Sequence, residues 1–480
     1  MSYIKQLGVS LAANIGTIGS GLTLGYSAVA LPAMQAANHQ PSVTEEEASW
    51  IASLISIGMP VGCLLIGPLL DRLGRRRTLM LVNLPALLGW LLIASAPHDW
   101  TWFLVHVYTG RLLTGLTVHL TGTPAVIYTS EVVDKNLRGV VGSWPALGFS
   151  LGIVLVYILG LIFQQSWRIV AGICASSPVI AIVAVWFFLP ESPVWLATKG
   201  KFEAAESSIR RIRMVSKEEP LPEDLQEELE AMIEKKTSQD SDKNTWRETL
   251  AFLKRPEAYK PLLIINAFFF FQQWSGILVF IVYTVTLIIE TGIEFDGYLA
   301  TVLVGVARLI MSIVSSYLSK RCGRRTLAIT SGAGLALSTG ALAVFLGQLT
   351  RQQVAEHSWF VVLALVFGVA MATLGFLPLP FVILGEMFPL RIRASASGFT
   401  TCLASLFSFV AVKLLPFMKH WLGFHNVFVF YFIMAAAGTV MLYFFLPETH
   451  GKTLDEIEQG FRGGGDGKSA SDKYASKENR

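Results

Sequence analysis

Charged side chains are scarce in this sequence. Only 15% of its 480 residues are Asp, Glu, Lys or Arg, whereas 53% are hydrophobic. No charged side chain lies between Lys5 and Glu45, and comparable apolar stretches recur along the chain. Each stretch can cross the roughly 30 Å hydrocarbon layer as a helix of about 20 residues. A chain with so little polar surface cannot cover several soluble domains, so the composition indicates a membrane protein with the lipid bilayer as its partner.

The residue patterns of catalytic and metal sites are also lacking. The four cysteines are scattered, with neither metal-ligand spacing nor a paired framework, and we interpret them as reduced packing residues. There is no nucleophile-base pair, metal cluster or phosphate-binding loop in the sequence. The sequence therefore predicts no enzyme activity, no cofactor and no metal, and the net charge of +4 does not imply a nucleic-acid partner. The cysteines are Cys63, Cys174, Cys322 and Cys402.

What the sequence has instead is a series of apolar segments separated by short loops. Apolar length and flanking charge predict twelve membrane spans. The first six are 8–33, 50–70, 78–97, 101–129, 139–163 and 169–190, and the second six are 261–288, 297–319, 326–348, 359–385, 396–418 and 426–447.

The loop charges predict the orientation. Arg and Lys gather in alternate short loops, as at 72–77 and 320–325, which places both termini in the cytosol, and we expect the plasma membrane. Residues 191–260 are too charged to cross a membrane and are expected to form cytosolic linker helices, at 201–215 and 225–235, with a flexible stretch at 237–244. The domains are then an N-terminal bundle (1–190), this linker, a C-terminal bundle (261–447) and a largely disordered cytosolic tail (448–480).

Three short motifs occur twice in the same order. Residues 71–77 are echoed at 320–325, and residues 190–193 at 447–450. Glu131 with Arg138 is likewise echoed by Glu386 with Arg393. This repetition predicts an all-α protein of two six-helix pseudo-repeats, with a solute site between them near the middle of the bilayer and alternating access by rocking of one half against the other.

The acids and arginines of these motifs are candidate gating residues. At the cytosolic mouth they can form inter-helix ion pairs that break when the mouth opens. The alternative is that the arginines only obey the positive-inside bias. The candidates are Asp71, Arg72, Arg75, Arg76, Glu131, Arg138, Glu191, Arg324, Arg325, Glu386, Arg393 and Glu448.

Further motifs extend the pattern: Gly110-Arg111, Trp167-Arg168, 272–276, 378–380 and 447–451. Together with the duplicated motifs, they make the chain resemble the sugar porter family of the major facilitator superfamily from about residue 8 to 460, most closely its arthropod facilitated trehalose transporter-like members. The resemblance implies the major facilitator fold and facilitative transport of a carbohydrate, such as the disaccharide trehalose or a related polyol. A functional monomer is expected.

The resemblance implies that Gln272 and Gln273 face the cavity and bond sugar hydroxyls, since a carboxamide both donates and accepts without adding charge. The alternative is that both bond neighbouring helices. Other positions depart from the family. Ala146, Leu278, Phe381 and Thr401 stand where many members carry Gln, Asn, Trp and Asn, so part of the usual polar pocket is absent and the standard hexose network is weakened.

Arg308 stands where the family commonly has Asn, near the middle of span 8, and is also a candidate substrate-binding residue. A charge at that depth indicates a functional site, yet every Asp and Glu falls in a loop, a tail or a span end. We hypothesise that Arg308 borders a wet cavity and donates to substrate oxygens, as in a carrier of an anionic or phosphorylated solute. The alternative is that it bonds neighbouring helices or snorkels.

The mode of coupling is predicted from a missing acid. Proton-coupled relatives carry an acid after the Gly-Tyr step of span 1, where this chain has Ser27, so facilitative diffusion is expected. Lys413 is interpreted as a helix-pairing or snorkelling residue rather than a coupling group. Lys320 and Val194 replace an acid and an arginine, which predicts a looser inward gate. A nontransporting sugar sensor or receptor is the remaining alternative.

Overall fold

The computed structural model describes residues 2–36, 42–215, 222, 225–227, 252, 254–290, 295–349, 351–389 and 391–462. In these ranges the chain forms helices and short connections, with no strand. The predicted flexible stretch 237–244 and most of the helix predicted at 225–235 lie outside the described residues.

The first half of the chain contains six membrane-length segments, three of which consist of two successive helices. Apolar side chains run around most of each segment, because one side faces the other helices and the other faces lipid. The helices are α1 (Ser2–Gln35), α2 (Glu45–Leu73), α3 (Arg75–Leu81), α4 (Asn83–Ala94), α5 (Trp100–Val132), α6 (Lys135–Val141), α7 (Trp144–Ile162), α8 (Trp167–Cys174) and α9 (Ser176–Phe188).

Two short helices follow, and the second half then repeats the arrangement. The linker helices are α10 (Pro193–Thr198) and α11 (Phe202–Arg213). The second half consists of α12 (Pro256–Trp274), α13 (Ile277–Glu290), α14 (Gly297–Leu318), α15 (Arg324–Gln348), α16 (Arg351–Glu356), α17 (Ser358–Leu374), α18 (Leu379–Met387), α19 (Arg393–Lys413), α20 (Leu415–Leu422), α21 (Phe424–Phe445) and α22 (Leu454–Arg462).

The predicted spans are recovered in the structure. Among the described residues, eleven helical stretches are long and apolar enough to cross a membrane. The predicted span 101–129 corresponds to α5, which has 33 residues but is more polar because it carries Arg111, two histidines and several threonines. The all-α fold of two six-helix halves, predicted from the duplicated motifs, is confirmed.

The surface of the bundle is apolar, as lipid requires. Leu64, Ile180, Phe187 and Phe444 are each more than half exposed, while Trp90, Trp167 and Tyr128 are almost completely buried. Since lipid tails are as apolar as these side chains, the exposed ones need no protein partner.

The described part of the C-terminal segment contains a helix, α22 (Leu454–Arg462), that is held at both ends. Thr453 and Glu456 exchange side-chain to backbone hydrogen bonds that begin α22 as a capping box. At its other end Arg462 Nε donates to buried Glu257 at 2.8 Å, and this bond raises the pKa of the guanidinium. Residues 454–462 of the predicted tail are therefore helical, while 463–480, to which the prediction of disorder mainly applies, lie outside the described residues.

Candidate functional site

The two halves meet along a central seam made by three helix pairs, namely α1 with α13, α2 with α19 and α7 with α14. We call the end of the bundle where α1 begins and α21 ends the proximal end, and the other end the distal end. Repeat-built carriers hold their solute between the halves near the middle of the membrane. A solute site in this architecture is therefore expected at the seam.

Hydrogen bonds cross the seam between its middle and its distal end. Near the middle, the hydroxyl oxygens of Ser150 and Ser312 lie 2.7 Å apart. Tyr157 donates to the carbonyl of Ile281 at 2.7 Å, further toward the distal end. Distal contacts join Ser56 to Ser408 (2.8 Å), Lys413 to Ser49 (2.8 Å) and Tyr298 to the carbonyl of Gln164 (3.0 Å). These short polar contacts hold the halves together at the distal end.

Lys413 lies at the distal end of α19, next to the first half. Besides its bond to Ser49, its ammonium lies 4.3 Å from the ring centroid of Trp50. Both contacts are with α2, which is the helix-pairing role expected from the sequence. On α5, His106 Nδ1 lies 2.7 Å from the carbonyl of Trp102 in the same helix.

Two spans of the second half are interrupted near their middles. One break separates α12 from α13 at Gly276, whose φ of 83° lies in the left-handed region that favours glycine. A Cβ there would also lie 2.5 Å from the ring of Tyr431. The other break separates α17 from α18 and leaves the carbonyls of Phe376 and Leu377 without helical partners nearby. Broken helices of this kind occur in membranes only where protein or a cavity satisfies the backbone.

Gln272 joins the two breaks. Its side-chain amide donates to the carbonyl of Phe376 at 2.7 Å and to that of Leu377 at 2.9 Å, and the residue is only 1% exposed. Its amide oxygen accepts from Gln273 at 3.3 Å. In this state Gln272 has the helix-bonding role, while half-buried Gln273 is the glutamine with surface left for a solute.

The four positions that depart from the family contribute little hydrogen-bonding capacity. Ala146 is exposed on α7, and Leu278 packs on the core of the second half. Phe381 is partly exposed on α18 with its ring 5.0 Å from that of Phe269, and the Thr401 hydroxyl donates within its own helix to Ser397 at 2.8 Å. Gln273 on α12 and Arg308 on the seam helix α14 are thus the remaining polar candidates for substrate binding.

Arg308 lies at the middle of α14 and points across the seam. Its guanidinium carbon is 5.5 Å from the ring centroid of Phe149 on α7, in the other half. The side chain is almost fully buried, and its Nε and Nη1 atoms have no hydrogen-bond partner. A buried cation with unused donors is unusual, since each unsatisfied group costs free energy.

The duplicated motif of the first half forms a charged cluster at the proximal end. Arg75 Nη2 and Nε donate to the two carboxylate oxygens of Glu131 at 2.6 and 2.9 Å, in a bidentate pair. Glu191 accepts the backbone N–H groups of Arg75 and Arg76 at 2.8 and 3.0 Å, at the first turn of α3. Arg76 in turn donates to the carbonyl of Trp186 at 2.7 Å. We call these residues the N-cluster.

The second half builds the same cluster from its copy of the motif. Arg324 donates to Glu386 from Nη2 and Nε at 3.2 and 3.3 Å, in both cases to the same oxygen. Glu448 accepts the backbone N–H groups of Arg324 and Arg325 at the first turn of α15, and Arg325 donates to the carbonyl of Tyr443. We call these residues the C-cluster. Each ion pair joins helices of one half, rather than one half to the other.

The other four gating candidates lie beside these clusters but outside the ion pairs. Arg138 and Arg393 each donate from Nε to a carbonyl five residues earlier, of Val133 at 3.0 Å and Phe388 at 3.2 Å. Asp71 and Arg72 are exposed, and the carbonyl of Asp71 accepts from the indole of Trp195.

Arg111 is a buried residue whose role the sequence did not reveal. It is completely buried in α5, where Nε donates to the carbonyl of Ile51 at 3.2 Å and Nη1 to that of Thr23 at 3.0 Å. Nη2 donates to the hydroxyl of Ser27, and the guanidinium lies over the ring of Tyr26. Arg111 thus ties α5 to α1 and α2. The Gly110-Arg111 motif marked the position but not these acceptors.

Residues 9–461 match the family described as "Sugar (and other) transporter". The chain belongs to this transporter family. The match covers both halves, the seam and α22, so it includes each candidate residue described above. Members of this family are transporters.

Curated relatives of this family member include two mosquito proteins. The facilitated trehalose transporter Tret1 of Aedes aegypti is 30% identical over 460 residues, covering 95% of this chain and 55% of the relative. Tret1 of Culex quinquefasciatus is also 30% identical, over 95% of this chain and 85% of the relative. The chain spans about half the length of most of the relatives it matches first.

Solved structures share the fold. The xylose transporter XylE from E. coli, in an inward open conformation, superimposes with a TM-score of 0.77 at 21% identity, over 95% of this chain and 99% of XylE. The proton:xylose symporter XylE bound to 6-bromo-6-deoxy-D-glucose gives 0.74 at 21% identity, over 96% and 100%. These similarities establish the major facilitator fold.

Proposed function

We propose that the chain is a facilitative carrier that moves a carbohydrate across a membrane by alternating access. This proposal rests on a difference in the polar contacts at the two ends of the seam. Discrete hydrogen bonds join the halves from the middle to the distal end, whereas the ion pairs of the proximal clusters lie within each half. A few hydrogen bonds of this kind can break and reform as one rigid half rocks against the other.

The distribution of acids supports diffusion without proton coupling. Among the described residues, the buried carboxylate is Glu257, and it lies at the proximal end of α12 in a bond with Arg462. A proton carrier needs an ionisable group that both sides of the membrane can reach. Ser27 is instead an acceptor for Arg111, and Lys413 is engaged with α2.

The substrate class follows from the family and from Gln273. Relatives of this chain are named as facilitated trehalose transporters, and the half-buried carboxamide of Gln273, beside the break between α12 and α13, can donate to and accept from hydroxyl groups. We therefore assign a disaccharide such as trehalose, or a related polyol, as the first substrate to test.

The proximal end is assigned to the cytosol of a plasma-membrane carrier that works as a monomer. The arginines of both clusters lie at this end, as the positive-inside bias requires. In this arrangement the N-cluster and C-cluster stiffen the mouth of each half, and each ion pair moves with the half that contains it.

Uptake into liposomes tests the proposal. The purified chain is reconstituted, and uptake of labelled trehalose, glucose and a polyol is followed with and without an imposed pH gradient. We expect saturable entry of at least one of these up to equal concentrations on both sides, with no accumulation driven by the gradient. Accumulation above equilibrium on an inward proton gradient would contradict facilitative transport.

A disulfide across the seam provides the control. Ser56→Cys with Ser408→Cys places two thiols where the native hydroxyls are 2.8 Å apart. In a background without the four native cysteines, oxidation should reduce uptake by at least about tenfold, and a reductant should restore it. The single variant Ser56→Cys is the matched control and should be insensitive to oxidant. Full uptake through the cross-linked protein would rule out rocking at this seam.

A further inference from the structure

Arg308 is a cation placed where a charge is hard to maintain. It occupies the middle of α14, Gly297–Leu318, and faces Phe149, which lies at the middle of the apolar stretch Leu137–Ile162. Both residues are therefore about as far from either membrane surface as the two spans allow. Only 5% of the surface of Arg308 is exposed. A guanidinium at this depth is costly unless something compensates its charge and fills its donors.

The protein around Arg308 supplies little compensation. Its Nε and Nη1 atoms are buried and have no acceptor. Hydroxyls occur near it on the seam, but Tyr157 is bonded to the carbonyl of Ile281 and Ser150 to Ser312, and neither Nε nor Nη1 of Arg308 donates to them. Among the described residues, the buried acid Glu257 is at the proximal end of another helix. The ring of Phe149 is then the main favourable contact, and a ring face accepts no conventional hydrogen bond.

Arg111 provides a comparison within the same chain, because it is a buried arginine with a structural role and a full set of hydrogen-bond acceptors. Arg111 is also fully buried and also lies over an aromatic ring, at 5.5 Å from that of Tyr26. Each of its three guanidinium nitrogens nevertheless donates to an oxygen of the protein. Arg308 lies over the ring of Phe149, but its Nε and Nη1 atoms have no oxygen acceptor. The difference indicates that acceptors for Arg308 come from outside the chain.

We propose that Arg308 binds an oxyanion of the transported solute, so that the substrate class includes carbohydrates that carry a carboxylate or a phosphate. This inference rests on the proposed carrier function. An oxyanion supplies several acceptor lone pairs and also neutralises the buried charge, whereas a neutral hydroxyl supplies an acceptor and leaves the charge in place. Arginine is suited to this role because its planar donors match carboxylate and phosphate oxygens.

The position of Arg308 suits such a substrate. It lies on the seam between the halves, one turn from Gly305 and Ser312, both of which contact or bond α7. Leu278 and Ala146, two of the other substrate-binding candidates, offer no hydrogen-bonding side chain. Recognition then depends more on one charged group than on a ring of amides.

Binding is measured first, independently of transport. Thermal unfolding of the purified protein in detergent is followed with glucose, D-glucuronate, glucose 6-phosphate and inorganic phosphate. We expect glucuronate or glucose 6-phosphate to stabilise the protein at about ten- to a hundredfold lower concentration than glucose. Arg308→Asn should remove this preference, and Arg308→Lys should keep part of it. Stabilisation by inorganic phosphate alone, with no effect of either sugar anion, would overturn the proposal.

Transport in liposomes then separates this inference from the proposed function. Uptake of D-glucuronate should carry one negative charge, so an inside-positive potential set by potassium and valinomycin should raise its accumulation about tenfold per 60 mV, with no effect on a neutral sugar. Arg308→Asn should abolish this voltage-dependent uptake. Arg321→Asn is the matched control, since this exposed arginine follows the same helix and lies 4.7 Å from the ring of Tyr317, and it should change neither readout.

The outcomes are distinguishable. Equal uptake of neutral sugars by the wild type and Arg308→Asn, with no uptake or binding of the anionic sugars, would remove the oxyanion site and leave the carrier function standing. Binding of the anionic sugars that depends on Arg308, without uptake of any sugar, would support the oxyanion site and contradict transport.

Discussion

The N-cluster and the C-cluster are two copies of one arrangement, and they differ in tightness. In the N-cluster, Arg75 engages both oxygens of Glu131, and both side chains are about 14% exposed. In the C-cluster, Arg324 reaches one oxygen of Glu386 at 3.2 Å, and the Glu386 side chain is 28% exposed. The linker helix α11 also packs on the first half, where Arg213 pairs with Asp134. The motif thus fixes the contacts, whereas neighbouring segments fix their strength.

The cause of the looser C-cluster is not the one expected from the sequence. Lys320 replaces the acid that Asp71 provides in the first copy, but both side chains are exposed and neither enters the ion pair. Lys320 lies instead beside Gly139 of the other half. The substitution therefore changes the surface where the halves face each other, rather than the cluster itself.

The largest expected difference between the copies concerns their glycines. A Cβ at Gly74 or at Gly323 would clash with the carboxylate of Glu191 or Glu448, respectively. Gly74 also has a φ of 84°, a conformation almost restricted to glycine, whereas Gly323 has a φ of −60°. Gly74→Ala should therefore cost about 3 kcal/mol of stability and Gly323→Ala about 1–2 kcal/mol. Thermal unfolding of both variants in detergent measures the two losses of stability. Equal decreases in melting temperature would show that the two glycines contribute equally.

Removing the ion pair of each cluster should reveal a smaller difference in stability than the glycine variants do. Glu131→Gln removes a bidentate, largely buried pair and should lower stability by about 2 kcal/mol. Glu386→Gln should lower it by about 1 kcal/mol, because the Arg324–Glu386 pair is longer and more exposed to solvent. The same unfolding assay applies, with Glu206→Gln on the exposed face of α11 as a control for loss of a surface charge. A larger loss from Glu386→Gln would show that the C-cluster is the tighter of the two.

The smallest effect is expected from restoring the missing acid. Lys320→Asp changes an exposed side chain outside the ion pair, so its effect on stability should stay within about 0.5 kcal/mol. A gain comparable to the loss in Glu131→Gln would mean that residue 320 does control the C-cluster, and that the motif position decides its strength after all.

The sequence predicted the architecture well because membrane spans and repeats appear as patterns that extend over many residues. Apolar length gave the spans, and the repeated order of Glu131 and Glu386 with their arginines gave the two halves. The repeated order of motifs also places the same acids and arginines at the same end of the bundle in both copies, but it does not specify which acid pairs with which arginine.

The parts that the sequence missed depend on three-dimensional contacts. Whether Gln272 faces a solute or the Phe376 carbonyl is decided by a helix break about a hundred residues away, which no local pattern specifies. Arg111 and Arg308 look alike in sequence, as single arginines within apolar spans, and only their neighbours show that one is satisfied and the other is not. The order of 454–462 likewise depends on Glu257, which is distant in the chain.

The bonds from Gln272 to the carbonyls of Phe376 and Leu377 have a mechanical consequence. One amide thus joins the helix breaks of two different spans. Any movement that separates Gln272 from the break between α17 and α18 costs two hydrogen bonds at once, so the two breaks stabilise each other.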